Sequence, residues 1–292
     1  MALVPFDDRD GWIWMDGDFV PWREAKTHVL THALHYGSSV FEGERMYGGE
    51  IFKLTEHSER LARSAELLDF TLPYSVAEID AACKETCARM GMEDAYVRPV
   101  AYLGPEQTSV SALNNRVHVA IAVWDWPSYF DPEVKKKGIR LEWAKWRRPD
   151  PMTAPTTAKA AGLYMICTMS KNAAERRGFS DAMMLDWRGY VAEATGANVF
   201  FIQDGVIHTP DVTHILNGIT RQTVIDIARS KGIDVVVRHI RPEELSTFSE
   251  CFLTGSAAEV TPVQLIGEYT FTPGDISLTL MDDYGKLVRR QT

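Results

Sequence analysis

The sequence predicts an α+β fold in two domains, on three observations. Strand-like and helix-like patterns are mixed within each half of the 292-residue chain. Several strand patterns come as pairs around Gly-containing turns, which marks hairpins and antiparallel sheets. The pattern breaks at "PSYFDPEVKKKG", where Pro, charge and turn residues read as a linker. The expected organisation is a small α+β domain at 1–126, a linker at 127–138 and a larger domain at 139–292.

The elements follow in chain order. "WIWMDGDFVP" reads as a hairpin turning at Asp16-Gly17, and "SVFEGERMY" with "EIFKL" as a second around Gly48-Gly49. "TEHSERLARSAELLDF" has helical period, with Thr55 as its expected N-cap. "SVAEIDAACKETCARMG" opens on a capping box, Ser75 with Glu78, and closes on Gly91. "DAYVRPVAYLG" and "RVHVAIAVW" are strands. Beyond the linker come a strand at 139–143 and a helix through "AGLYMICTMSKNAAERRG" that stops at Gly178. The strands "DAMMLD", "YVAEA" and "NVFFIQDG" follow, with Asp204-Gly205 marking another hairpin, then a helix "ITRQTVIDIARSKG", the strands "IDVVVRHI" and "CFLTG", and a final amphipathic segment.

Composition narrows the function. Hydrophobic residues make up 45% and charged residues 24%, the balance of a globular protein able to bury a sizeable core. A formal charge of -9 weighs against nucleic acid or an anionic membrane as partner. No apolar run approaches the roughly 20 residues of a membrane span. The acidic start "MALVPFDDRD" has no signal-peptide core, so a cytoplasmic location is expected. Cys83, Cys87, Cys167 and Cys251 form no C-x-x-C pair and read as buried, reduced thiols. His28, His32 and His35 have a metal-like spacing. No Glu lies between the first two and no Cys or Asp stands near to complete a shell, so they read as structural histidines in a β-rich segment, and no metal is expected.

One residue asks for chemistry. Lys159, in "PTTAKAAGLY", places an ammonium among Ala, Thr and Gly. A nucleophilic lysine must be neutral part of the time, and a small apolar setting favours the neutral amine. Such a lysine suits a Schiff base with a carbonyl cofactor, of which pyridoxal 5'-phosphate (PLP) is the commonest. PLP also needs a carboxylate for its ring nitrogen, a cradle for its phosphate and usually a hydroxyl near its ring oxygen. Glu193 in "GYVAEATGANVF" is the carboxylate candidate, or else surface punctuation. In "LNGITRQTVIDIA", Gly218 permits a sharp turn while Ile219 and Thr220 offer N–H groups at a helix start. "TGSAAEVTP" offers the Ser256 and Ala257 amides as a second nest. Arg60 is placed to supply charge, and Tyr164 the hydroxyl.

Taken together, "HALHYGSSVFEGERMY", "AYVRP", "PTTAKAAGLY", "EATGANVF", "NGITR" and "TGSAAEVTPV" lie between residues 32 and 263, and the likeness they carry runs over about residues 12–262. In these the chain resembles the fold-type IV, class IV PLP aminotransferases, most closely those acting on branched-chain amino acids. The resemblance implies a two-domain fold like that of D-amino acid aminotransferase. It implies that Lys159 forms the Schiff base, Glu193 pairs with the ring nitrogen and Tyr164 bonds the ring oxygen. Arg60, Ile219, Thr220 and Ser256 would hold the phosphate at the Gly218 turn, with Leu216 beneath the ring. On the substrate side it implies Tyr96 and Arg98 at the carboxylate, and Tyr36, Phe41, Gly43 and Trp126 around an apolar side chain, with Ser256 and Ala257 beside them. Strand alternation puts Phe41, Gly43 and Arg45 on one face and Glu44 on the other; Arg45 is the candidate for glutamate's second carboxylate. It also implies a homodimer or an assembly of dimers.

The expected reaction is transfer of an amino group between a branched-chain L-amino acid and 2-oxoglutarate. The alternatives are a D-amino acid or (R)-amine aminotransferase of the same fold, an aminodeoxychorismate lyase, and a scaffold without activity. The chain departs from the family pattern at three places. Glu44 replaces an aliphatic residue, and Asn217 replaces the Pro before "GITR", loosening the phosphate turn. The 104–115 loop lacks a Gly-rich run.

Overall fold

The computed structural model describes residues 4–126 and 132–291. The chain forms two compact units, Met1–Pro127 with Ala158–Gly162, and Ser128–Thr157 with Leu163–Thr292. Both mix sheet and helix, as an α+β protein should.

The first unit contains β1 (Trp12–Met15), β2 (Asp18–Pro21), α1 (His32–Tyr36), β3 (Ser39–Phe41), β4 (Glu44–Tyr47), β5 (Glu50–Ile51), α2 (Leu54–Leu67), α3 (Val76–Met90), β6 (Ala95–Leu103) and β7 (Val117–Trp124). Its sheet runs β2-β1-β7-β6-β4-β5, with β3 also on β6, and every pairing is antiparallel. Asp16-Gly17 and Gly48-Gly49 make two-residue hairpin turns, all four residues at positive φ, the geometry whose twist matches the flanking strands. α2 and α3 pack on one sheet face. In α3 the expected capping box is present: Ser75 Oγ accepts from the Glu78 N–H, and Glu78 Oε2 accepts from the Ser75 N–H at 2.7 Å. Two expectations fail here. α2 is capped by Lys53 in the left-handed region, while Thr55 donates to Asp80 at 2.5 Å. The histidine segment is not β: His32–Tyr36 form a short helix, in which His32 contacts Ser38 Oγ and the Ser109 carbonyl.

The second unit contains α4 (Pro132–Lys137), β8 (Ile139–Trp143), α5 (Tyr164–Arg176), β9 (Asp181–Leu185), β10 (Val191–Ala194), β11 (Asn198–Gln203), β12 (Val206–Thr209), α6 (Ile219–Ser230), β13 (Val235–Val237), β14 (Glu250–Gly255), β15 (Glu259–Ile266), β16 (Tyr269–Thr270) and α7 (Asp275–Val288). The sheet order is β10-β9-β8-β15-β14-β11-β12-β13, with β16 on β15. β8 is parallel to both its neighbours, and β13 is parallel to β12. Ile139, Leu141, Met183, Val199, Phe201, Leu253 and Val263 form its buried centre. α4 lies within the stretch read as linker; residues 127–131 of that stretch are outside the described part. β15 is a strand the sequence reading did not give. All four cysteines are free and buried.

Candidate active site

Lys159 sits in an extended segment docked on β3. Its carbonyl accepts from the Phe41 N–H at 3.1 Å, its N–H donates to Ser64 Oγ at 3.0 Å, and Ala160 bridges Val40. Backbone bonds on both sides fix where the side chain leaves the chain. Its Nζ lies 4.8 Å from the Phe41 ring centroid.

The register makes one face of this sheet. Phe41 pairs with Val100 and Arg45 with Tyr96, and the Glu42 N–H donates to the Pro99 carbonyl, so alternation runs unbroken through the gap between β3 and β4. Phe41, Gly43 and Arg45 therefore share a face with Tyr96 and Arg98. Arg98 Nη2 donates to the Tyr96 hydroxyl at 3.0 Å, and the guanidinium lies over Phe41 at 4.8 Å and Tyr96 at 5.1 Å. Gly43 is required, because a Cβ there would collide with the Tyr96 hydroxyl. Trp126 stacks on Tyr96 at 4.6 Å, and Trp124, which sequence reasoning missed, does so at 5.1 Å. Arg45 is buried over Tyr47, and among the described residues no carboxylate pairs with it. Tyr36 is not in this group: its ring, about half exposed, lies on His32 and His35.

The opposite face is acidic and buried. Glu42 accepts from Arg60 Nε and Nη2, each at 2.7 Å, and contacts His57 Nδ1 at 2.7 Å. Burial alone would raise its pKa, but the charge and hydrogen bonds of Arg60 hold it well below the usual carboxylate range. Arg60 is thus placed by a carboxylate that sequence reasoning did not single out. Glu44 points the same way, as alternation requires. Neither of its oxygens has a hydrogen-bond partner among the described residues, and burial, then the charge of Glu42, pushes its pKa up.

In the second unit, Glu193 lies at a register shift between β10 and β9, where a bulge re-aims the side chain. Its Oε1 is 3.1 Å from Arg148 Nε, and both groups are buried. Burial would lower the Arg148 pKa, yet Glu193 opposite holds it above the ordinary value. Tyr164 opens α5 close enough to Arg148 to add to that field. Asn198 at the start of β11 gathers the other pieces. Its Nδ2 donates to the Leu216 carbonyl at 2.9 Å and lies 3.5 Å from Glu193 Oε2, while its Oδ1 accepts from the Gly218 N–H at 3.2 Å. A Cβ at Gly218 would collide with that oxygen. Gly218 caps α6 without any side-chain bond, so Ile219 and Thr220 form the first turn of a twelve-residue helix with its dipole toward the cap. Ser256 and Ala257 stand in the turn after Gly255, whose Cβ position approaches the Gly196 carbonyl at 3.3 Å. Arg148 and Asn198 were not anticipated; their importance depends on partners distant in sequence.

The model of the family described as amino-transferase class IV matches residues 39–266. The chain belongs to the class IV aminotransferases. A probable branched-chain-amino-acid aminotransferase of Rickettsia felis is 40% identical over 99% of this chain and 100% of its own length. A branched-chain-amino-acid aminotransferase of Pseudomonas aeruginosa is 44% identical over 88% of this chain and 85% of its own. Among solved structures, the branched-chain amino acid aminotransferase from Thermobaculum terrenum, crystallised in its PLP-bound holo form, superposes with a TM-score of 0.88 at 30% identity, over 97% of this chain and 95% of that one.

In this class IV aminotransferase, hydrogen bonds hold both the turn at Asn217 and the 104–115 loop. Asn217 does not leave the turn loose: its Oδ1 accepts from Arg221 Nη1 at 3.0 Å and its carbonyl from Gln222 Nε2 at 3.3 Å. The 104–115 loop is held by Asn115 Nδ2, which donates to the carbonyls of Gly104 at 2.7 Å and Gln107 at 3.0 Å.

Proposed function

We propose that this aminotransferase uses PLP to move the amino group of a branched-chain L-amino acid to 2-oxoglutarate, giving the branched 2-oxo acid and L-glutamate. The observation that carries the reading is the sheet face of the first unit. The Lys159 amine, the Arg98 guanidinium tied to Tyr96, and the rings of Phe41 and Trp126 suit the amine, carboxylate and apolar side chain of such a substrate. The relatives named above support the substrate class and the cofactor.

The chain's residues also fit the cofactor. Glu193 is a buried carboxylate braced by a cation, suited to a protonated ring nitrogen. The Gly218 cap leaves the start of α6 open to an anion, where Ile219 and Thr220 would hold the phosphate with Arg60 and Ser256, and Leu216 would pack on the ring. Tyr164 would bond the ring oxygen. Bound PLP supplies a carbonyl that accepts the amino group and a ring that draws electrons from the substrate's α-carbon. Lys159 takes the α-proton at Nζ and returns it, as base and then acid. Glu193 keeps the ring nitrogen protonated. Arg98 and Tyr96 orient the substrate carboxylate, and Arg45 receives the second carboxylate of glutamate.

We place the enzyme in the cytoplasm, as a homodimer or a larger assembly of dimers. No helix among the described residues is long and apolar enough to cross a membrane. Val29, Leu34, Val110 and Leu113 in the first unit are between 63% and 89% exposed, apolar side chains that a second copy would cover.

The test is a substrate panel of L-leucine, L-valine, D-alanine and (R)-phenylethylamine with 2-oxoglutarate, for wild type and Arg98→Ala. Wild type should prefer L-leucine and L-valine. Arg98→Ala should lose on the order of 2–5 kcal/mol in kcat/KM for leucine and little on any residual amine activity. A wild type that prefers the amine would overturn the branched-chain reading.

A further inference from the structure

A buried pair outside every residue assigned above joins the two elements that carry Glu193 and the phosphate turn. Asp186 closes the turn between β9 and β10, the strand of Glu193. Its Oδ1 accepts from the Arg188 and Tyr190 N–H groups at 2.8 and 3.0 Å, and its Oδ2 from Arg188 Nε and Nη2 at 2.9 and 2.8 Å. His214 lies in the stretch between β12 and α6, two residues before Leu216 and four before Gly218. Its Nε2 is 3.4 Å from Asp186 Oδ2, and the side chains are 1% and 0% exposed. Its Nδ1 is 3.3 Å from Thr213 Oγ1 and 3.9 Å from Asp211 Oδ1. Trp187 meets the ring edge-on at 5.2 Å, and His239 lies 6.5 Å away.

The stretch leading to the cap is therefore held at two points. Asn198 clasps it by hydrogen bonds at Leu216 and Gly218, and the buried His214 ring lies against the Asp186 turn, its Nε2 at ion-pair distance from Asp186 but without a hydrogen-bond partner among the described residues. A side chain this buried, with one acid on each side, fixes the path of the backbone that follows. The charged and titratable groups facing it are Asp186 and Arg188 of the turn, Asp211 of its own loop, and His239 beyond β13. Burial is the largest influence and disfavours a proton on the ring, Arg188 and His239 add to it, and Asp186 and Asp211 oppose it.

We propose that His214 is a positioning residue for the cofactor phosphate: it seats the 211–218 stretch on the Asp186 turn, so that the first N–H groups of α6 are held where an anion binds. This rests on the assignment of Gly218–Thr220 to the phosphate. The test titrates cofactor-free protein with PLP, reading tryptophan fluorescence quenching, for wild type, His214→Ala, His214→Gln, Thr220→Val and Ile219→Pro, with Tm of each unloaded protein measured alongside. His214→Ala should raise the PLP Kd about tenfold or more at pH 7.5, the scale seen when a group supporting a ligand-holding residue is lost. Unloaded Tm should change little. His214→Gln, which keeps a neutral polar atom near the Nε2 position, should restore most of the affinity. The gap between wild type and His214→Ala should narrow only at acid pH below the ordinary imidazole range, because burial holds the ring's pKa down. A Kd unchanged in His214→Ala while Thr220→Val or Ile219→Pro raises it, or a rise matched by a collapse in unloaded Tm, would overturn the role of His214. An unchanged Kd in both Thr220→Val, which removes the hydroxyl, and Ile219→Pro, which removes the first N–H of α6 at a position that tolerates proline, would overturn the phosphate assignment itself.

Discussion

Glu42 and Glu44 are two residues apart, point to the same buried side and have their pKa values pushed in opposite directions. Glu42 has Arg60 and His57 against it, and the Arg60 charge holds its pKa well below the usual carboxylate range; Glu44 has no hydrogen-bonding partner among the described residues, and burial pushes its pKa up. The sign of the linkage follows. The folded state holds the Glu44 proton above the ordinary value of 4.5, at which the unfolded chain releases it. Stability from this group is complete below that value and is lost as pH rises toward the folded pKa. Glu44→Leu should therefore become more stable than wild type as pH rises above 4.5. The gap in Tm should widen steadily as pH rises from 5 toward neutral. A gap in Tm that stays flat from pH 5 to 8 would remove the buried acid from the account. At this scale the sequence was legible where chemistry is local. Lys159 stood out by its small neighbours, and Gly43 by strand alternation. Arg148 did not, because nothing near it in the chain reveals that it faces Glu193, 45 residues on (193 minus 148).

Among the elements, the turn into α6 is the most informative. Arg221 is buried, and burial pulls its pKa down to about 10; its guanidinium donates to Asn217 Oδ1 and to the Pro210 carbonyl rather than to a carboxylate. Asn217→Ala removes one of these acceptors and should cost roughly 1–3 kcal/mol, the usual penalty of an unmet buried donor. Asn217→Asp should instead match or exceed wild type, and thermal unfolding of the two variants checks both. Equal Tm in all three proteins would mean that the bond holds nothing. Hairpins at Asp16-Gly17, Gly48-Gly49 and Asp204-Gly205 were readable because their turns need positive φ at both residues and the sequence supplies residues that tolerate it. β15 was not readable, because Pro262 sits inside it. The strand accepts that proline because its pairing to β8 begins one residue later, at Val263. α1 was misread for a related reason: its aromatic composition favours strands, but five residues closed by Gly37 in the left-handed region make a turn of helix.

For the whole molecule, the exposed apolar residues of the first unit set the expectation. If Val110 and Leu113 face a second copy, Leu113→Glu should shift the protein toward monomer in light scattering coupled to size exclusion and lower its Tm. A wild type that is already monomeric at micromolar concentration would end the dimer reading. The division of the chain into two units was only partly visible in advance. Composition marks a break near residue 127, but it cannot show that five residues more than thirty positions further on belong with the first unit. That membership comes from the backbone bonds between 159–160 and β3, which no local pattern announces.

The same five residues have a consequence for any attempt to divide the gene. A single cut near residue 127 yields a front fragment without the segment that bonds Phe41 and Val40, and a rear fragment that carries Lys159 away from its ring neighbour. Neither product would hold the amine in place. The chain can be permuted or split only by a scheme that returns residues 158–162 to the front half, so its two units are not modules that recombination could exchange at one joint.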